Sequence, residues 1–207
     1  MKHKQSIKSV LLITVIMLCM LIPTTIQAQK TKAVLTFKNG TVKTGLGKLL
    51  GGNKIKFRVN KNRKATKYDF NLLKQVKIYN QTDIITYVSV KIKDKEKPNI
   101  LEQVVLGRVT LYQKTSMGYN PGMGGVGFGG TGFSTGYSYN INNFYVKKEG
   151  DTEAFHLGSN QLFTKNFKQA ASDYFKDCPL LVKKIQNRTF KKKDLRAIVE
   201  FYNNECH

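Results

Sequence analysis

The sequence predicts an α+β fold: an N-terminal antiparallel β-meander or small barrel, further strands with a Gly-rich loop, and a C-terminal three-helix tail. Three observations carry that expectation. Between Ala33 and Tyr79 apolar and polar residues alternate with the two-residue period of half-buried strands. Between Lys114 and Lys147 no residue is charged, and nine of the 17 glycines fall between Ser116 and Tyr139. Beyond Phe163 apolar residues recur at the three- and four-residue spacing of a buried helix face.

Before any of these comes a leader. Lys2, Lys4 and Lys8 form a basic start, Val10 to Ile22 is a run of 13 residues without charge, and Pro23-Thr24-Thr25 breaks it. Ile26-Gln27-Ala28 then places aliphatic and small residues at the −3 and −1 positions, so residues 1–28 read as a cleavable signal peptide. A helical span needs about 20 apolar residues, more than this run provides. The expected location is therefore outside the cytoplasm: periplasmic, cell-surface or secreted, with no transmembrane segment after cleavage.

Cleavage would leave 32 basic against 13 acidic residues, a net charge of +19. The excess is uneven, because Lys30 to Tyr68 holds 12 Lys or Arg and no Asp or Glu. Such a field attracts polyanions. Residues 29–112 form the β-rich basic region. Ala33, Leu35 and Phe37 alternate, Asn39-Gly40 supplies a hairpin turn, and Val42, Thr44 and Leu46 resume the pattern. Gly51-Gly52-Asn53 turns again into Ile55, Phe57 and Val59, which alternate with Lys54, Lys56 and Arg58. One face of that strand is apolar and the other basic. With Lys61, Arg63 and Lys64 in the following loop, these cations are the candidate polyanion-binding residues. The pattern resembles a small SH3-like or Sm-like barrel over some 50 residues, which implies a fold and no activity.

Thr86, Val88, Val90 and Ile92 alternate, Lys93 to Asn99 is a charged turn, and Val104 to Tyr112 reads as a returning strand. Residues 113–143 read as a Gly-rich flexible loop, either a tolerated insertion or an aromatic contact surface for a partner or glycan. Gly122-x-Gly124-x-x-Gly127 and Gly127-x-Gly129-x-x-Gly132 match a dinucleotide spacing, but no helix opens at either, so no nucleotide site is expected.

Residues 144–207 read as a β-hairpin turning at Glu149-Gly150-Asp151, followed by a helical tail. Phe163, Phe167, Ala170, Ala171 and Tyr174 give the first helix its buried face, and Pro179 opens a second carrying Leu181 and Ile185. Leu195, Ile198, Val199 and Tyr202 line a third. Cys178 and Cys206 are the two cysteines left after cleavage, and an oxidising compartment predicts a disulfide between them. The run Asp173-Tyr174-Phe175-Lys176-Asp177-Cys178-Pro179-Leu180, with a second cysteine after Phe201-Tyr202-Asn203-Asn204, resembles the end of a group of exported Gram-negative bacterial proteins of unknown function. That resemblance implies an envelope or secreted location and paired cysteines.

No G-x-S-x-G elbow, H-E-x-x-H helix or P-loop occurs, and nothing calls for a cofactor or a metal. His156 alternates with Phe155 and Leu157 and should point outward; Asp173 and Asp177, and Glu149, Asp151 and Glu153, read as helix-surface and turn acids. The sequence therefore predicts a non-catalytic protein that meets anionic envelope polymers, or a protein partner, through a basic face, with peripheral membrane contact possible in principle. Two alternatives stand beside it: an extracellular nucleic-acid-binding protein, and a secreted degradative enzyme whose site would need His156 beside two carboxylates.

Overall fold

Ten antiparallel strands pair into one sheet, ordered β10-β9-β8-β7-β6-β5-β1-β2-β3-β4, and three helices pack against one end of it. The computed structural model describes residues 31–120, 137–160 and 166–206. Residues 1–28, expected to be a signal peptide, Phe163 and His207 lie outside the described residues.

The front half is β1 (Thr31–Phe37), β2 (Val42–Leu50), β3 (Lys54–Arg58), β4 (Thr66–Asp69) and β5 (Leu73–Tyr79). Gly40, at φ 86°, makes the β1–β2 turn, where Asn39 Oδ1 accepts from the Thr41 N–H. A 3-10 turn, Phe70–Leu72, joins β4 to β5 and returns the chain to the far side of β1. Its buried Phe70 donates its N–H to Asn53 O and seats among Leu35, Ile55, Phe57 and Val76. The sheet coils tightly here because β2 carries Gly45 and Gly47. A Cβ at Gly45 would run into the backbone of Arg58 and Val59, and one at Gly47 would sit 2.7 Å from Ala33 Cβ.

The expected small barrel does not close. β5 has β1 on one side and gives its other edge to β6 (Ile84–Val90), so the sheet continues and β4 remains a free edge. β1 to β4 follow one another as in a meander, whereas β5 crosses back to pair with β1 instead of its sequence neighbour β4.

The back half is β6, β7 (Asn99–Val105), β8 (Val109–Asn120), β9 (Tyr137–Lys148) and β10 (Phe155–Ser159). Two expectations need correction. The stretch Val104 to Tyr112 is two strands, divided at Leu106-Gly107-Arg108, where a side chain on Gly107 would collide with Asn203. Residues 113–120 and 137–143, expected inside the loop, are strand, because β8 and β9 pair in 12 successive rows and satisfy one another's backbone groups. Residues 121–136 lie outside the described residues.

Helices α1 (Phe167–Tyr174), α2 (Pro179–Gln186) and α3 (Leu195–Glu205) cover β7 to β10. Phe175, Leu181, Ile185, Ile198 and Val199 are fully buried against Val109, Leu111, Val146 and Leu157. Pro179 stands at the start of α2, as its fixed φ and missing N–H favour. Cys178 and Cys206 form a disulfide, Cα–Cα 5.5 Å, which ties the end of α1 to the end of α3. Asn203 locks α3 to the sheet: its Oδ1 accepts from the Val109 N–H at 2.8 Å and its Nδ2 donates to Val109 O at 2.9 Å. The opposite face of this half carries a smaller core of Val90, Ile92, Leu101, Tyr112, Tyr145 and Ala154. Among the described residues no helix is long and apolar enough to cross a membrane.

Candidate anion-binding surface

The register of β2, β3 and β4 decides where the basic residues go. Ile55 and Phe57 point into the front core, so the alternate residues Lys54 and Lys56 face outward and are exposed. Lys56 pairs with Lys48 on β2 and with Lys67 on β4, and all three are exposed. Three ammonium groups thus stand side by side across three strands. Like charges directly opposite one another in a sheet repel and cost stability. Lys54 is opposite Asp69, the single carboxylate of the β1–β5 region, and Lys32 on the same face lies 5.2 Å from the Tyr79 ring. We call this exposed row the ridge.

The remaining candidates gather around the end of β3, where Gly45 lets the strand cross close over β2. Lys43, Phe57, Arg58, Arg63, Lys64 and Tyr68 are among the residues lining an open groove of about 760 Å³. Four of those six are cations, and no carboxylate lines the groove. Lys43 Nζ donates to Tyr68 Oη at 3.0 Å and lies 5.0 Å from that ring and 5.2 Å from Phe37. Arg58 Nη1 donates to Lys61 O at 2.8 Å, whereas its buried Nε has no hydrogen-bond partner. The six residues singled out in the sequence are therefore divided. Lys54 and Lys56 belong to the ridge, Arg58, Arg63 and Lys64 to the groove, and Lys61 serves through its carbonyl.

No protein-family model matches this chain, and neither a characterised protein nor a solved structure matches it. The geometry alone carries the functional argument.

Lys43, Lys48, Lys67 and Tyr68 are the residues that sequence reasoning missed. Lys48 was not findable, because the alternation of Val42, Thr44 and Leu46 reads as the apolar side of β2, whereas Gly45 and Gly47 face the core and Val42 and Lys48 are exposed. Lys67 and Lys43 were not either, because their neighbours depend on cross-strand register.

The carboxylates of the back half are occupied differently. Asp177 Oδ2 accepts from Lys148 Nζ at 2.8 Å and from Tyr202 Oη at 2.6 Å, and the Lys148 ammonium lies 5.4 Å from the Tyr174 ring and 5.5 Å from that of Tyr202. Desolvation pushes the Asp177 carboxyl up, but the two donors outweigh it and hold it below its ordinary value. Lys148 is held above its ordinary value: burial opposes its charge, and the bond to Asp177 overcomes that. Asp173 accepts from Gln169, and Asp151 accepts from the Lys148 N–H in the β9–β10 turn. Asp173 and Asp177 thus serve separate local contacts.

His156 is exposed and packs 5.1 Å from Tyr145; desolvation lowers its pKa first, with Lys95 adding to the fall and a bond to Gly158 opposing it. Half-buried Glu102 is raised by desolvation, partly offset by Arg196. Register puts Glu102 on the face that meets the helices and His156 on the other, so the sheet separates them. Among the described residues no group of three His, Cys, Asp or Glu is placed to hold a metal.

The β8–β9 ladder extends past β7 as an uncharged two-stranded arm bearing exposed Met117, Tyr119, Tyr137 and Tyr139. Tyr139 covers Gly118, where a Cβ would meet its ring at 2.6 Å.

Proposed function

We propose that this chain is an exported, non-catalytic protein that binds anionic polymers of a cell envelope through the basic face of β2–β4. The observation that supports this most is the ridge. Lys48, Lys56 and Lys67 occupy directly opposed positions, with mutual repulsion that no carboxylate on that row relieves. Phosphates or carboxylates along a polymer would turn the repulsion into attraction, and the free edge at β4 leaves the row open to a long ligand.

Single-stranded nucleic acid is disfavoured by the packing of the aromatic residues nearby. Tyr68 is packed edge-on against Phe37 at 5.3 Å and Phe57 at 6.2 Å, with Lys43 over its ring. No ring at this surface is left open to stack a base, as single-strand binders require.

The test is a salt titration of the triple variant Lys48→Gln/Lys56→Gln/Lys67→Gln against lipopolysaccharide, duplex DNA and a neutral glycan. The variant should lose lipopolysaccharide affinity at 0.05 M salt, and its salt dependence should flatten by about one unit of log–log slope per lysine. Its melting temperature should rise slightly, since the repulsion is worth a few tenths of a kcal/mol per pair. Unchanged affinity and slope would remove the ridge as the binding face. Tighter binding to duplex DNA than to lipopolysaccharide would favour the nucleic-acid reading.

A further inference from the structure

We infer that the groove at the end of β3 is a site for a single oxyanion, a carboxylate or phosphate carried on an acidic glycan, and that Arg58 reads it. This rests on the anionic-polymer reading and adds to it a short-range contact that the ridge cannot make.

Arg58 carries the inference. A guanidinium is always charged and offers two parallel N–H groups on its Nε–Nη2 edge, matched to two oxygens of one carboxylate or phosphate. Here Nη1 is committed to Lys61 O at 2.8 Å, which leaves that edge uncommitted. Nε is buried without a partner. An unsatisfied buried donor is costly, and a charged one more so. The remaining cations at the opening, Lys43, Arg63 and Lys64, would neutralise the incoming charge, and no carboxylate in the lining competes for Arg58. Because Nε has no exposed surface, the oxyanion meets Arg63 and Lys64 first and reaches Arg58 when the exposed turn of residues 60–64 yields. That turn is secured by local bonds: Arg63 N–H to Asn60 O at 3.3 Å, Asn62 N–H to Asn60 Oδ1 at 3.1 Å, and the Arg58 contact itself.

Ridge and groove make separable demands. Diffuse attraction to the ridge fades as salt rises, because at 0.3 M the screening length is down to about 6 Å. A bidentate contact to the buried edge of Arg58 is screened less. Arg58→Lys keeps the charge and removes the fork.

The experiment measures binding of polygalacturonate, a carboxylate probe, and of inorganic polyphosphate, a phosphate probe, at 0.05 M and 0.3 M salt. Wild type, Arg58→Lys and the ridge triple variant are compared, and the melting temperature of each is recorded with and without probe. The expected result is retention of one or both probes by wild type at 0.3 M, with at least a tenfold loss in Arg58→Lys. At 0.05 M the loss in that variant should be under threefold. The probe should raise the melting temperature of wild type and not of Arg58→Lys, as binding to the folded state alone requires. Which probe persists distinguishes carboxylate from phosphate. If Arg58→Lys destabilises the fold, Arg63→Lys with Lys64→Gln must show the same high-salt loss. Equal retention by wild type and Arg58→Lys, or no retention by wild type at 0.3 M, overturns the inference. Loss at low salt in the ridge variant would then leave the anionic-polymer reading standing, whereas no binding at either salt would end both.

Discussion

The two halves of the sheet solve the same folding problem with opposite use of charge. From Thr31 to Tyr79 there are 13 basic residues and one acid; from Asn80 to Cys206 there are 18 and 12. In the back half one pair of opposite charges meets, Lys148 with Asp177, and neutral groups serve others: Tyr202 Oη donates to the same carboxylate and Arg108 donates to the Tyr202 carbonyl at 3.1 Å. In the front half Lys54 alone has a carboxylate opposite it, Asp69, and Lys48, Lys56 and Lys67 are paired in register with one another. The cores differ as well. The front core lies within the coiled strands β1–β5 and is filled by Phe70 of the 3-10 turn; the back core is covered by helices stapled by a disulfide. The back half, where acids and bases are nearer balance, is held by a helix-covered core and a disulfide, and the front half carries its unbalanced field on glycine-enabled curvature.

That contrast can be broken, and the disulfide gives the largest effect. Closing a 28-residue separation contributes about 3–4 kcal/mol in the chain-entropy model. Cys178→Ser with Cys206→Ser should therefore lower stability to urea by about that amount. Hydrogen exchange should speed up in α1–α3 while β1–β5 stay protected. Equal loss of protection in both halves would show that the two cores do not stand separately.

Gly45→Ala should act on the other side, at about 1–3 kcal/mol. The added methyl meets the Arg58 and Val59 backbone, so β3 must move, and the groove with it. Exchange should rise in β2 and β3, and high-salt anion binding should fall with it. An unaltered denaturation midpoint would mean that the strand crossing has slack that the close approach hides.

Asp177→Asn should have the smallest effect, under about 1 kcal/mol, because the carboxylate is half exposed. Its sign with pH is fixed by direction. Asp177 is held below its ordinary value, so its contribution is present above about pH 4 and is lost as pH falls through the lower folded value. Lys148 is held above its ordinary value, so its contribution is present below about pH 10 and is lost at higher pH. The variant should flatten both limbs of a melting-temperature profile and converge with wild type at low pH, where Asp177 is protonated; a profile matching wild type between about pH 5 and 9 would show that the pair is a surface contact without weight.

Much of this was legible in the chain. The alternation around Ile55 and Phe57 located β3 and its basic face, and Pro179 marked the start of α2. The apolar residues Leu195, Ile198, Val199 and Tyr202 identified the buried side of α3. Cys178 and Cys206 had a single possible intramolecular pairing on the expectation that residues 1–28 are cleaved, and the disulfide is present. These signals are local, or are settled by elimination. The extension of β8 and β9 was missed because Gly-rich, uncharged sequence offers no apolar alternation, and strand pairing there is held by the backbone ladder. The division at Leu106-Gly107-Arg108 was missed because its reason, the approach of Asn203, lies nearly 100 residues away.

What the sequence by itself determined was each element's period, which side of β3 and of α3 is apolar, and the concentration of positive charge near the start of the folded region. What only the tertiary structure decided was partnership. Lys48, Lys56 and Lys67 are 8 and 11 residues apart along the chain and share a row because antiparallel register places them there. Arg58 lines a groove because Gly45 has no side chain to hold its strand away. The barrel stayed open because β5 had a second edge and β6 took it. Local sequence sets the period of a strand; which strands meet, and in what register, is settled by long-range packing that no local window contains.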